Sequence, residues 1–344
     1  MVIASATQAQ AQNVTPVLLK TPVAFATTLP GPGSTIKWIA DRIDVASSGN
    51  IKMRLYEPNN LIAPFEILDA VSSGKVNAGY ATASHWAGKM PAAGIFSAVP
   101  FGPEAGEYLA WLWYGNGMKL YQTMYDQAGY DVKVMVCGIL PPRSSGWFAD
   151  EVNRPDDLRD LKMRIFGPGG EVMKQLGVSV RSLSANEVLP ALKNKSIDAV
   201  EFSSPLIERR LGFYKLVKYN YFPGWQQQAS TLELLINTKE WNGMHESQRT
   251  LLDVMCRAAT ANSFAEGEAM QFEVISENIT KDNVKIRYWS DEMLALFEKT
   301  WQEIARAQSM RDPFFREVWE DLSKFRARFE LWKTNAFLPR KKGK

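Results

Sequence analysis

Apolar residues along this chain fall into two rhythms that take turns. Residues 22–28 and Ile51–Tyr56 alternate with a period of two, as half-buried strands do. Between them Ile36, Ile39, Ala40 and Ile43 recur at the spacing of one helix face, after a Leu29-Pro30-Gly31-Pro32-Gly33 loop with Ser34 as the expected cap. Residues 66–72 continue as a helix and residues 78–80 as a short buried strand. Strand, helix, strand, helix in this order argues for parallel α/β units.

The same grammar starts again further on. Residues 161–165 read as a strand, 170–176 as a helix, 178–180 as a strand, Ala185–Lys193 as a helix and 197–202 as a strand. Two runs with one grammar predict two similar lobes. The apolar stretch Val132–Leu140 precedes the second run, and residues 231–237 form a strand that carries the chain back to the first lobe. Residues 247–279 are helical in pattern and free of proline. At 1.5 Å per residue such a helix reaches roughly 45 Å or more, enough to bridge both lobes. Residues 291–333 read as two amphipathic helices broken at Asp312-Pro313.

Composition narrows the function. A chain of 344 residues suits two lobes, and 46% hydrophobic with 22% charged residues is a globular balance. A net charge of +3 gives no reason to expect nucleic acid, and the basic end (Arg340, Lys341, Lys342, Lys344) reads as a solvated tail. No apolar run is long enough to cross a membrane as a helix. The small, polar first residues read as the remnant of a trimmed export signal or as a disordered start. The two cysteines, Cys137 and Cys256, are read as separate buried thiols, since a disulfide framework usually has more. Two histidines exclude a His-rich metal centre, and neither lies in a hydrolase or metalloprotease motif. Gly167-Pro168-Gly169-Gly170 lacks the Lys-Ser/Thr of a phosphate loop and reads as a tight strand-to-helix turn.

Eight segments in register resemble the solute receptors of tripartite ATP-independent periplasmic (TRAP) transporters. They are PFEILDAVSSGKVNAGY from Pro64, HWAGKMPA from His85, AVPFG from Ala98, WLWYGNGMKLYQTMY from Trp111, GWF from Gly146, LKMRIFGPGGEVMKQLG from Leu161, LGFYKLVKYNYFPGW from Leu211 and TLELLINTKEW from Thr231. Within that family they are most similar to the branch that binds 2-oxo acids and related monocarboxylates. The resemblance implies an α/β, two-lobed periplasmic binding protein fold of the class II type, with crossover hinge strands and a long lobe-spanning helix. Residues 15–139 with about 231–262 would form lobe I, and residues 140–230 with about 263–335 lobe II, between an N-terminal segment 1–14 and a basic tail 336–344. It further implies a periplasmic receptor, not an enzyme, that closes on a small organic acid and delivers it to TRAP membrane subunits. Some members of the branch dimerise by exchanging C-terminal helices, so a homodimer is left open.

The resemblance also singles out residues. Arg164, in LKMRIFG, matches the arginine that grips the ligand carboxylate, a task suited to a planar two-pronged donor. Glu201 and Phe202 fall where the branch holds a cation beside the ligand, and Gln227 where it usually has an acidic ligand to that cation. Arg143 departs from the branch, which commonly has glutamine there. A guanidinium has no lone pair to offer a metal, so no cofactor is expected and Arg143 is expected to pair with Glu201 in the cation's place. If a cation does bind, Glu201, Phe202 and Gln227 are its ligands. Trp86, His85, Trp225 and Phe166 are candidate cleft walls, and Thr28, Ser203 and Ser204 candidate contacts to ligand oxygens. A 2-oxo or 2-hydroxy monocarboxylate is favoured; a dicarboxylate, an aromatic acid, an enzyme of small acids using His85 or Glu201, and a sensor subunit are the alternatives.

Overall fold

A computed structural model describes residues 14–183 and 185–338. The expected signal remnant and most of the basic tail lie outside the described residues. The chain begins with β1 (Val17–Pro22), α1 (Pro32–Ala46), β2 (Ile51–Tyr56), α2 (Ile67–Ser72) and β3 (Ala78–Ala81). Three helices, α3 (Ala93–Ser97), α4 (Ala105–Tyr114) and α5 (Gly117–Gln127), lead to β4 (Val132–Leu140). Then come β5 (Gly146–Phe148), β6 (Lys162–Arg164), α6 (Gly167–Gln175), β7 (Ser179–Arg181), α7 (Ala185–Lys193), β8 (Ala199–Val200), α8 (Pro205–Leu211) and β9 (Tyr219–Phe222). The chain ends with β10 (Ser230–Asn237), α9 (Thr238–Gly243), α10 (Glu246–Ala269), α11 (Gln271–Thr280), β11 (Lys285–Tyr288), α12 (Asp291–Arg311) and α13 (Pro313–Ala336).

Two sheet layers result, one in each lobe. In the first, β1 runs parallel to β2, a bridge from Val23 to Tyr80 continues to β3, and β10 lies antiparallel between β3 and β4. Ile36, Ile39 and Ile43 of α1 are fully buried against this layer, as their spacing requires. The second sheet has six strands in the order β11-β9-β5-β8-β6-β7, with β6 parallel to both neighbours. The chain passes between the sheets after β4, through Pro141-Pro142, and returns before β10, so the residues 231–237 do rejoin the first layer.

Four expectations about elements change. The first strand is β1, upstream of residues 22–28: the register with β2 ends at Pro22, and the chain then bends, so Thr28 sits exposed in a turn instead of at a strand end. Ser34 is not the cap of α1. Gly31 holds that position, and the Ser34 hydroxyl accepts the Gly31 N–H at 2.9 Å from one turn inside. The long helix is two, because the pattern cannot register the interruption at Met270; α10 packs on β4 and α11 on α8. Finally, Cys137 and Cys256 form a disulfide, their Cα atoms 4.1 Å apart. They lie 119 residues apart in sequence, and the packing of α10 on β4 brings them together, which a count of cysteines could not reveal.

Several contacts join the two lobes. Gly267 of α10 lies against Pro141 at the crossing, where a Cβ would stand 2.5 Å from the proline ring. Gly94 of α3 faces Pro168 of α6, and Phe101 N–H donates to the Trp225 carbonyl at 2.7 Å. At the C-terminus α12 packs on α6, while α13 packs on α4 and α5. Asp312 caps α13, accepting the Phe314 and Phe315 N–H groups at 2.9 and 3.0 Å.

Candidate functional site

The site follows from strand register. β6 and β8 are parallel neighbours with Arg164 opposite Val200, so Arg164 and the next residues, Glu201 and Phe202, emerge together at the carboxyl ends of these strands. That edge is where open α/β sheets build ligand sites. The two interlobe crossings run beside it. They bring Arg143 and Gln227 together, with Arg143 N–H directed at the Gln227 carbonyl at 3.4 Å. Glu201, Phe202 and Gln227, from distant parts of the chain, thus meet around the Arg143 guanidinium.

Arg164 is 4% exposed and held rigidly. Its Nε donates to the Leu183 carbonyl at 3.1 Å and its Nη1 to the Glu201 carbonyl at 2.5 Å. The guanidinium lies 3.9 Å from the ring centre of Phe166 and 4.5 Å from that of Phe202. Such stacking suits a flat, weakly hydrated cation. Burial pulls its pKa down to about 10, against the pull of Glu201 the other way, so the group stays charged at neutral pH. Phe166 remains 43% exposed, leaving one side of this stack accessible.

Arg143 makes a denser set of bonds. Nη1 donates to Glu201 Oε1 at 3.1 Å and to the Phe202 carbonyl at 2.8 Å. The Gln227 amide, oriented by its neighbours, accepts from Nε at 2.6 Å and Nη2 at 2.9 Å through its oxygen, which also takes the Ser230 hydroxyl at 3.2 Å. Glu201, 4% exposed, has its other oxygen 3.8 Å from Arg164 Nη1. The carboxylate therefore lies between two guanidinium groups.

A second buried carboxylate, unsuspected from the sequence, fixes this arrangement from behind. Glu208 of α8 accepts from the Ser144 hydroxyl at 2.9 Å, Trp147 Nε1 at 2.9 Å and Ser203 N–H at 3.2 Å. It thereby ties the segment carrying Arg143 to the segment carrying Glu201 and Phe202. Burial pushes its pKa up to about 7 despite these donors. Nothing in PLIERRL separates this glutamate from a surface one; only its position against Ser144 and Trp147 does.

The other candidates are dispersed. Ser203 reaches Glu208 through its backbone, and Ser204 precedes α8 without capping it through its side chain. Trp86 is not a wall of this group: it is fully buried in lobe I, its Nε1 donating to Glu233 at 2.7 Å. Trp225 is 2% exposed and stacks between Phe101 and Phe297, an interlobe packing position with its Nε1 buried and unpartnered. His85 sits among Phe25, Phe65 and Trp86 in the first lobe. Burial lowers its pKa to about 4, so the ring is neutral, and its Nδ1 is buried without a partner. Thr28 is exposed in its turn, apart from the arginines' bonding partners.

The chain is similar to known proteins over most of its length. The description of the DctP family, bacterial extracellular solute-binding protein family 7, matches residues 32–311. A monocarboxylate 2-oxoacid-binding periplasmic protein of Nostoc sp. is 30% identical over 294 residues, covering 86% of this chain and 80% of the relative. Among solved structures, a TRAP periplasmic solute-binding protein from Colwellia psychrerythraea with bound calcium and pyruvate superposes with a TM-score of 0.89 at 27% identity, over 94% of this chain and 98% of that one. One from Pseudoalteromonas atlantica, with bound sodium and pyruvate, gives 0.88 at 27% identity, over 94% and 97%.

Proposed function

This chain belongs to family 7 of the bacterial extracellular solute-binding proteins, the receptors of TRAP transporters, and on that premise we propose that it captures a small monocarboxylate between its lobes, a 2-oxo or 2-hydroxy acid, and presents it to TRAP membrane subunits. Carrying this reading is the buried guanidinium of Arg164, fixed at the strand edge by two carbonyls and two phenyl rings. A cation so immobilised loses little freedom on meeting an anion. Among the described residues Nη2 makes no hydrogen bond, so its N–H groups are left to meet a carboxylate oxygen. The lobe division proposed from the sequence sets Arg164 in lobe II and the aromatic nest of His85 in lobe I.

The binding step needs no chemistry. An acid enters the open groove, Arg164 takes its carboxylate, and the lobes close about the two crossings and α10, a hinge motion. Closure removes water and strengthens each contact to charge. The ligand favours the closed state only as far as it binds that state more tightly. The family and the 30% identical relative are both described as solute-binding proteins, which supports the receptor reading over an enzyme of small acids.

Two similar solved structures contain bound sodium or calcium together with pyruvate, and the residues here do not fit such an ion. The three oxygen donors that would hold it, from Glu201, Phe202 and Gln227, are all engaged by Arg143. We therefore read the site as one that carries its own cation. Thermal unfolding in the presence of pyruvate or lactate tests the receptor reading. The acids should raise the melting temperature of the wild type and not of Arg164→Ala; equal shifts in both would exclude it.

A further inference from the structure

The cage around Arg143 does more than replace an ion. Resting on the receptor reading, we infer that Arg143 is a specificity-determining residue that sets the charge of the ligand, admitting one carboxylate and rejecting two.

A guanidinium has five N–H groups. Arg143 commits both on Nη1, to Glu201 and the Phe202 carbonyl, and the Nε group with one on Nη2, to the Gln227 amide oxygen. A single N–H remains for a ligand. It can satisfy a keto or hydroxyl oxygen, but a second carboxylate needs more than one donor once water is gone. A metal ion in the same place would behave differently, because it accepts further oxygens at open coordination positions.

Charge points the same way. Two guanidinium groups and the Glu201 carboxylate leave one positive charge, which one carboxylate neutralises. The other ionisable groups in touch with this cluster are acidic. Glu208 lies behind it and interacts with Arg164, and Glu266 lines a cavity of about 20 Å³ beside Arg143, so neither adds positive charge for a second carboxylate. A dianion would bury a negative charge with no counterpart, and unpaired buried charge is costly.

Pyruvate and malonate separate the possibilities, since they have equal carbon counts but carry one and two negative charges near neutral pH. Titration calorimetry in sodium-free buffer with a chelator should show pyruvate binding at least about a hundredfold more tightly than malonate to the wild type. Malonate binding as tightly as pyruvate would overturn the inference. In Arg143→Gln the oxygens of Glu201, Phe202 and Gln227 are released and the cluster loses a positive charge. Pyruvate affinity should then fall in chelator and return with calcium, whereas a folded variant with unchanged affinity in chelator would overturn the role given to Arg143. The wild-type comparison stands even if the variant fails to fold. If neither acid binds the wild type in any buffer, the receptor reading itself falls, an outcome distinct from loss of charge selectivity.

Discussion

Replacing Arg164 probes the site at its most constrained point. Alanine there removes the group that donates to the Leu183 and Glu201 carbonyls and fills the space between Phe166 and Phe202. For the free protein the loss is modest: two neutral acceptors lose a donor, at about 1 kcal/mol each, and Glu201 keeps Arg143 as its counter-ion. For the complex the loss is larger, because the acid's carboxylate enters a site of low exposure without its cation. Truncating one partner of such a pair costs about 2–5 kcal/mol, or roughly thirty- to several-thousandfold in affinity. Lysine keeps the charge but offers no plane to the two phenyl rings and no second prong, so an intermediate loss of about tenfold or more is expected. Titration calorimetry of wild type, Arg164→Lys and Arg164→Ala, with circular dichroism to confirm folding, gives the order directly. An alanine variant that folds and keeps wild-type affinity would refute the reasoning, and so would a lysine variant weaker than alanine.

Other consequences concern stability. Opening the Cys137–Cys256 disulfide, which spans 119 residues, should cost about 5 kcal/mol on the chain-entropy account. Urea denaturation of the Cys137→Ala/Cys256→Ala variant measures this, and a loss below about 1 kcal/mol would show that the unfolded chain gains little from release. Glu208 has its pKa raised from 4.5 to about 7, so the folded protein holds a proton that the unfolded chain gives up between these values. Its contribution to stability is complete below about pH 4.5 and is lost as pH rises through about 7. Glu208→Gln should therefore flatten the fall in stability across that window in pH-dependent denaturation; an unchanged slope would assign the fall to other groups. Gly267→Ala pushes a Cβ to within 2.5 Å of Pro141 and should destabilise the crossing by about 1–3 kcal/mol in the same assay, whereas no change would mean that α10 shifts freely there.

Much of the fold was legible because each lobe repeats a plain grammar. Ile51–Tyr56, Val132–Leu140 and Ala185–Lys193 coincide with β2, β4 and α7, and Asp312-Pro313 separates α12 from α13, since alternation, apolar runs and a proline after a capping residue act locally. The misplaced first strand shows where locality fails: residues 22–28 alternate weakly, yet pairing with β2 is settled upstream. The disulfide, the break at Met270 and the role of Glu208 depend on how helices lie against strands, which no window of sequence contains. At the site, Arg164, Glu201, Phe202, Gln227 and Arg143 were nameable from segments resembling a known family. The bonds that gather them around Arg143 were not, because they join strand ends to both interlobe crossings. Trp86 misled for a simple reason: an aromatic side chain suits a cleft wall and a core equally well, and Glu233, far along the chain, decides between them.

A crystal structure of the protein with pyruvate, grown with calcium present, bears most directly on the central claim. The account predicts the carboxylate within hydrogen-bonding distance of Arg164, with the Arg143 guanidinium still among the oxygens of Glu201, Phe202 and Gln227. Calcium density among those oxygens, with Arg143 swung away, would contradict it.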